Sequence, residues 1–263
     1  MSSRRRPPRS LFPRASQPHG QLLGAIGLAV LLLGASHWGR SAWLSDRQLT
    51  GATTYTAAAG GNRPGTAPRY SRAALDYFFE VAFGNEFSDN PDTHYIRKWS
   101  NNLRLSVRGG PTAADRATLD RIVAQLNQLL GGSLRIVLTN QNPNAVMYFV
   151  PEAAFSRYDP QYVPRNLGFF RVWWNQRLEI QRAQILISTT GVTQRERSHL
   201  IREELTQALG LMNDAETYRD STFYQGWTET QDFSPLDRDL IQMLYDRRVR
   251  SGQTRDQIRQ LFQ

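Results

Sequence analysis

The stretch from Arg182 to Gly210 constrains this chain more than any other. Arg182–Ser188 (RAQILIS) is a short apolar run of strand character. Five residues later, Thr193 and Glu196 form a Thr-x-x-Glu capping box, in which side chain and backbone satisfy each other's free groups at a helix start. The helix so opened runs into REELTQALGLMND, residues 202–214, where Gly210 can close or bend it. On a helical wheel Ile201, Leu205, Ala208 and Leu209 share one face, which must pack on a core. His199, Glu203, Gln207 and Gly210 lie on roughly the opposite side, with Glu204 between the two. From pattern alone that second face is solvated. A strand feeding an amphipathic helix needs a sheet with a helical layer against it.

The neighbouring segments supply both layers. Ser71–Phe83 has helical character, and Ile96–Val107 alternates as a strand through Leu103, Leu105 and Val107. Thr112 caps a helix with Leu119, Ile122, Val123, Leu126 and Leu130 on one stripe, ended by Gly131-Gly132. Leu134–Leu138 and Ala145–Val150 are strands joined by the turn-rich TNQNPN, and Leu167–Trp174 is a strand or hairpin arm. A further helix is expected over Pro235–Asp246. The expected class is α+β, built on a twisted mixed sheet, with folded residues 70–263 forming one domain. The aromatic run Phe169, Phe170, Trp173 and Trp174 fits core packing on both faces of a strand best; a surface that grips a peptide or glycan, or rests on the membrane, is the alternative.

Charge separates this domain from what precedes it. The chain has 32 basic and 23 acidic residues, but five arginines and no acid fall within residues 1–20. The remainder is close to neutral, so the bulk basicity does not mark a nucleic-acid-binding surface. After this basic tail comes Leu22–Ala35 (LLGAIGLAVLLLGA), which carries no charge. Its length suits a signal peptide or a short signal-anchor. Positive charge ahead of it directs the N-terminus to the cytoplasm and the rest across the membrane. The expected organisation is a cytoplasmic tail at 1–20, an anchor at 21–39, a flexible Gly/Ala/Thr-rich linker at 40–69 and an extracytoplasmic (periplasmic) domain. Cleavage at 21–39, giving a secreted protein, is the alternative. With no cysteine in 263 residues, disulfides, thiolate metal sites and cysteine nucleophiles are excluded.

Three segments in order carry a family resemblance. REELTQALGLMND resembles the zinc-binding H-E-x-x-H-x-x-G-x-x-H of metzincins. In that register Glu203, Gln207 and Asn213 stand where histidines would, Glu204 at the catalytic base and Gly210 at the glycine. Ser221-Thr222-Phe223-Tyr224 is similar to the Met-turn with Phe in place of Met. FSPLDRDLIQMLYD (Phe233–Asp246) resembles the closing helix of matrixin-type proteases, and a Lys98-Trp99 dipeptide precedes the first strand. Residues 94–263 thus resemble an uncharacterised bacterial domain-of-unknown-function family with an E-E-x-T-Q-x-L-G-L helix, a degenerate zincin-like relative of the metzincins.

The resemblance implies a zincin-like fold and a cleft under Glu203, Gln207, Asn213 and Tyr224, with Arg182–Ser188 as the edge on which a peptide would lie. The chemistry does not follow with the shape. Three imidazoles hold Zn²⁺ in such enzymes and drop its water's pKa from about 15.7 to about 7. Here one carboxylate and two amides replace them, so no metal and no other cofactor is expected. His199 lies one turn before Glu203, where a shared metal and an ordinary i,i+4 contact are both open. The expected function is a membrane-tethered pseudo-metalloprotease domain that binds a peptide or cell-envelope component. The alternative is a noncanonical hydrolase with Glu204 as general base.

Overall fold

The computed structural model describes residues 69–83, 94–160, 162, 164 and 166–263. The tail, anchor and linker expected over residues 1–68 lie outside the described residues. Among those described, no helix is long and apolar enough to cross a membrane.

The domain is a mixed α/β structure with six strands and six α-helices among the described residues. In chain order these are α1 (Arg72–Phe83), β1 (Lys98–Trp99), β2 (Leu103–Gly109), α2 (Ala113–Leu129), β3 (Ile136–Leu138) and β4 (Ala145–Val150). A 3-10 turn (Glu152–Ala154) and α3 (Phe155–Tyr158) follow, then β5 (Gly168–Trp174), β6 (Glu179–Ser188), α4 (Gln194–Gln207), α5 (Pro235–Leu244) and α6 (Arg255–Phe262). Sequence had merged β1 and β2 into one strand. Residues 100–102 break the run, and β1 pairs instead with β6, Trp99 against Ile180.

The sheet order is β1-β6-β4-β2-β3, with β5 on the other side of β6. All pairs are parallel except β5–β6, where Gly168 faces Ile187 and Trp173 faces Arg182. This corrects the expected edge. Arg182–Ser188 is interior, with β4 on one side and β5 on the other, and β5 is the edge. The three consecutive apolar residues Ile185, Leu186 and Ile187, all fully buried, belong to a strand covered on both faces.

One sheet face carries Leu103, Leu105, Ala145, Met147, Phe149, Phe170, Val172, Ile185 and Ile187 into the main core beneath α1, α2, α4 and α5. The other face buries Val150, Phe169 and Leu186 against Phe155 of α3. The aromatic run is therefore divided. Phe169 and Phe170 enter the two cores, while Trp173 and Trp174 are half-buried, each with a guanidinium over its ring (Arg182 at 4.1 Å, Arg97 at 5.0 Å).

Candidate functional site

The capping box forms as the sequence requires: the Thr193 hydroxyl accepts from Glu196 N, and Glu196 accepts from Thr193 N at 2.6 Å. Ile201, Leu205, Ala208 and Leu209 are buried in the core. The opposite face is not solvated, however. His199, Glu204 and Gln207 are buried too: Thr230 lies against His199, Gly168 against Glu204 and Asp214 against Gln207. Thr230 meets His199, Gln231 O accepts from Arg202, and Glu229 pairs with Arg195 at 2.7 Å.

At its first turns α4 is fixed to α2 through a satisfied polar cluster. Asp115 accepts from Arg197 Nε at 2.9 Å, from Gln194 Nε2 at 2.8 Å and from Thr112 N at 2.8 Å. Burial pushes the Asp115 carboxyl up, and these donors outweigh it, holding the group below the usual carboxylate range.

The far end is fixed by two long-range donors. Trp99 Nε1 donates to Ala208 O at 2.9 Å and the Tyr245 hydroxyl donates to Leu209 O at 2.8 Å, satisfying carbonyls that a helix C-terminus leaves free. Lys98 does the same for α5, donating from Nζ to Leu244 O (2.7 Å) and Val249 O (2.9 Å). The Lys98-Trp99 pair thus caps two helices. Gly210 sits at φ +121°, and a β-carbon there would lie 2.2 Å from Arg97 O, so only glycine allows the chain to leave the helix against β1.

Ser221–Tyr224 lies beneath this end. Asp237 of α5 accepts from the Ser221 hydroxyl (2.6 Å) and Thr222 N (3.0 Å), and Tyr77 of α1 donates to Ser221 Oγ at 2.7 Å. Phe223 is fully buried in the core. Tyr224 bridges Ala215, one residue beyond Asp214, and its ring folds over Gly226.

The aligned ligand positions have other employment. Asn213 donates from Nδ2 (2.9 Å) and from its backbone N (3.1 Å) to Val81 O, fastening α4's exit to α1. Gln207 Nε2 donates to Asp214 Oδ1 at 2.6 Å. Glu203 Oε2 lies 3.4 Å from His199 Nε2, and the other ring nitrogen meets the Thr230 hydroxyl at 2.9 Å. Nδ1 also lies 3.2 Å from Thr230 O, so in either tautomer both ring nitrogens face a polar partner. No group of three or more His, Asp or Glu able to hold a metal occurs among the described residues. Amides already committed as donors, and an imidazole with both nitrogens engaged, do not fit Zn²⁺.

Glu204 is different. Its side chain is buried, and no hydrogen-bond partner for its carboxyl occurs among the described residues. It lies against the start of the edge strand, where a β-carbon on Gly168 would be 2.3 Å from Oε1. Burial, with the charges of Glu203 and Asp214 added, raises its pKa well above the usual carboxyl value. Asp214 is raised to about 7, by burial and then by Glu203, against the opposing hydrogen bond from Gln207. Sequence reading passes over Gly168, whose lack of a side chain accommodates Glu204.

Fold and site together define a mixed α/β domain built round a buried helix that presents a buried carboxyl to a sheet edge. The chain belongs to the family described as Protein of unknown function (DUF2927), whose family model matches residues 71–263. No curated protein matches it.

Proposed function

We propose that this is a membrane-tethered, extracytoplasmic domain of zincin-like ancestry that binds an extended peptide or cell-envelope component without zinc catalysis. The observation that carries this is Glu204, a buried carboxyl with no partner among the described residues, set against Gly168 on edge strand β5. A strand edge offers unpaired backbone groups to an extended ligand, as in β-strand addition. Burial favours the neutral form of this carboxyl, a form that can donate a hydrogen bond to a carbonyl beside that edge and cannot serve as a general base. The zincin-like ancestry is supported by the three aligned segments, which the fold gathers at one end of α4, and by Gly210 and Phe223 filling tight positions there.

Capture of randomised peptides by the purified chain, with mass spectrometry of what is retained, tests this. The expected result is intact bound peptide and no stoichiometric zinc on elemental analysis. Glu204→Gln, which mimics the neutral carboxyl, keeps binding, whereas Gly168→Val weakens it at least tenfold. Peptide cleavage by the parent chain that Glu204→Gln abolishes would establish the hydrolase instead. One tightly held zinc per chain would overturn the proposal.

A further inference from the structure

The sheet face away from α2 and α4 is only partly covered. At one end α3 and its flanking residues bury Phe169, Leu186 and Val150. Toward the other, successive strands place Val137, Arg104, Asn144, Arg182 and Trp173 side by side. Val137 pairs with Arg104, Asn144 bonds to both Arg104 and Ala183, and Arg182 pairs with Trp173. Arg108 stands opposite Tyr148 and Arg171 opposite Gln184 on the same face.

This face carries four strand arginines (Arg104, Arg108, Arg171 and Arg182); the one acid in the described strands, Glu179 at the start of β6, is held by Arg177 at 3.0 Å and Asn175 at 2.8 Å. Asp159 from the covering segment is committed to Arg171, whose Nη2 donates to it at 2.6 Å, and Glu152 accepts the Tyr162 hydroxyl. Arg104 reaches a carbonyl, Asn142 O, at 2.6 Å. Arg108 has no carboxylate partner among the described residues, and its buried Nε has no hydrogen-bond partner. Val137 is 38% exposed at the edge of the row.

We infer that this face docks on the anionic lipid headgroups of the membrane to which the domain is tethered, an inference that rests on the tether reading given above. Guanidinium groups match phosphate geometry, Trp and Tyr rings favour the headgroup layer, and a flat strand surface with an exposed valine suits a planar partner. The charge complementarity is one-sided, as an anionic leaflet requires.

Because the chain contains no cysteine, a dye can be placed at will. The full chain is assembled into nanodiscs of phosphatidylcholine alone or with phosphatidylglycerol, carrying a polarity-sensitive dye through Val137→Cys or, as control, Asp120→Cys on the exposed side of α2. The expected result is a blue shift at position 137 only in the anionic discs. It is lost in Arg104→Gln/Arg108→Gln and reversed in the parent by about 0.5 M salt, a readout that does not depend on the double variant folding. The same emission in both lipids, or a shift that salt leaves untouched, overturns the inference. So does an equal shift in zwitterionic discs on adding a single-stranded oligonucleotide or polyglutamate at matched charge, which would replace the lipid by a soluble polyanion. A chain that elutes apart from zwitterionic discs refutes the tether itself; the face is then read with phosphatidylglycerol vesicles added to the free chain, under the same two outcomes.

Discussion

The first and last turns of α4 both meet buried carboxyls, with opposite results. Where α4 starts, Asp115 is surrounded by donors from Arg197, Gln194 and Thr112, and stays ionised. Where it ends, Glu204 has no partner among the described residues, and Asp214 has one amide donor but shares its surroundings with Glu203. Both sites are buried polar clusters on one helix. Only the donor supply differs, and it decides which cluster is scaffold and which keeps hydrogen-bonding capacity for something else. Satisfied networks fix a structure, whereas unsatisfied ones are held in place by the rest of the fold and mark functional sites.

The largest expected effect comes from breaking the satisfied end. Asp115→Ala leaves the nearly buried Arg197 guanidinium without its carboxylate, and denaturant unfolding should show a loss of about 3–5 kcal/mol. Removing both partners, as Asp115→Leu/Arg197→Met, should recover much of that loss. If the double variant is no better than the single, the pair matters through packing and the contrast with the far end fails.

Next in size is the pH response, where the two ends have opposite sign. Asp115 is lowered in the folded state, so it contributes stability above its unfolded value of 3.8 that disappears as pH falls through its folded value. Asp214 is raised from 3.8 to about 7. The folded protein therefore holds that proton more tightly, and the contribution is fully present below 3.8 and lost as pH rises through about 7. Glu204 has the same sign. Between pH 5 and 8 the parent should become less stable as pH rises. Asp214→Asn and Glu204→Gln should flatten that slope and, at pH 8, gain about 1–3 kcal/mol, the cost of a buried polar group left unmatched. Thermal melts across this range check it; an unchanged slope in the Glu204→Gln/Asp214→Asn pair would show that these carboxyls are not the source.

How far each end could be read from sequence follows the same division. Thr193 and Glu196 are three residues apart, so their box is local and legible, as are those at Thr112 and at Ser234-Asp237. The core face of α4 was legible from period. Its other face was not, because part of its cover comes from distant residues, Thr230 against His199 and Gly168 against Glu204. The strand order was likewise non-local, and the edge went to the wrong strand, although Ile185-Leu186-Ile187 carried the signature of two-sided burial. Helix α6 was overlooked despite its Thr254–Gln257 box and the apolar pair Ile258 and Phe262. At the site, the resemblance located Glu204 and Gly210 in sequence, but Asp214 gains its importance only from enclosure beside Glu203.

The smallest expected effect separates local from distant capping of this one helix. Thr193 caps the start with atoms three residues away, whereas Tyr245 caps the end from 36 residues beyond. Tyr245→Phe keeps the ring in its buried place and removes only the hydroxyl, the donor to Leu209 O and the long-range acceptor for Trp99 N, so the expected loss is about 1 kcal/mol. Thr193→Ala should cost about the same in total. Amide hydrogen exchange distinguishes the two. Loss of the local cap should loosen only the first turn, whose amides near Glu196 lose their acceptor. Loss of the Tyr245 hydroxyl should speed exchange in the last turn and also around Trp99, since Trp99 N donates to that same oxygen at 3.4 Å and its indole holds the neighbouring carbonyl. A change confined to α4 in both variants would mean that β1 and α5 stand against the helix end without holding it. The end that carries Glu204 would then be ordered by packing alone.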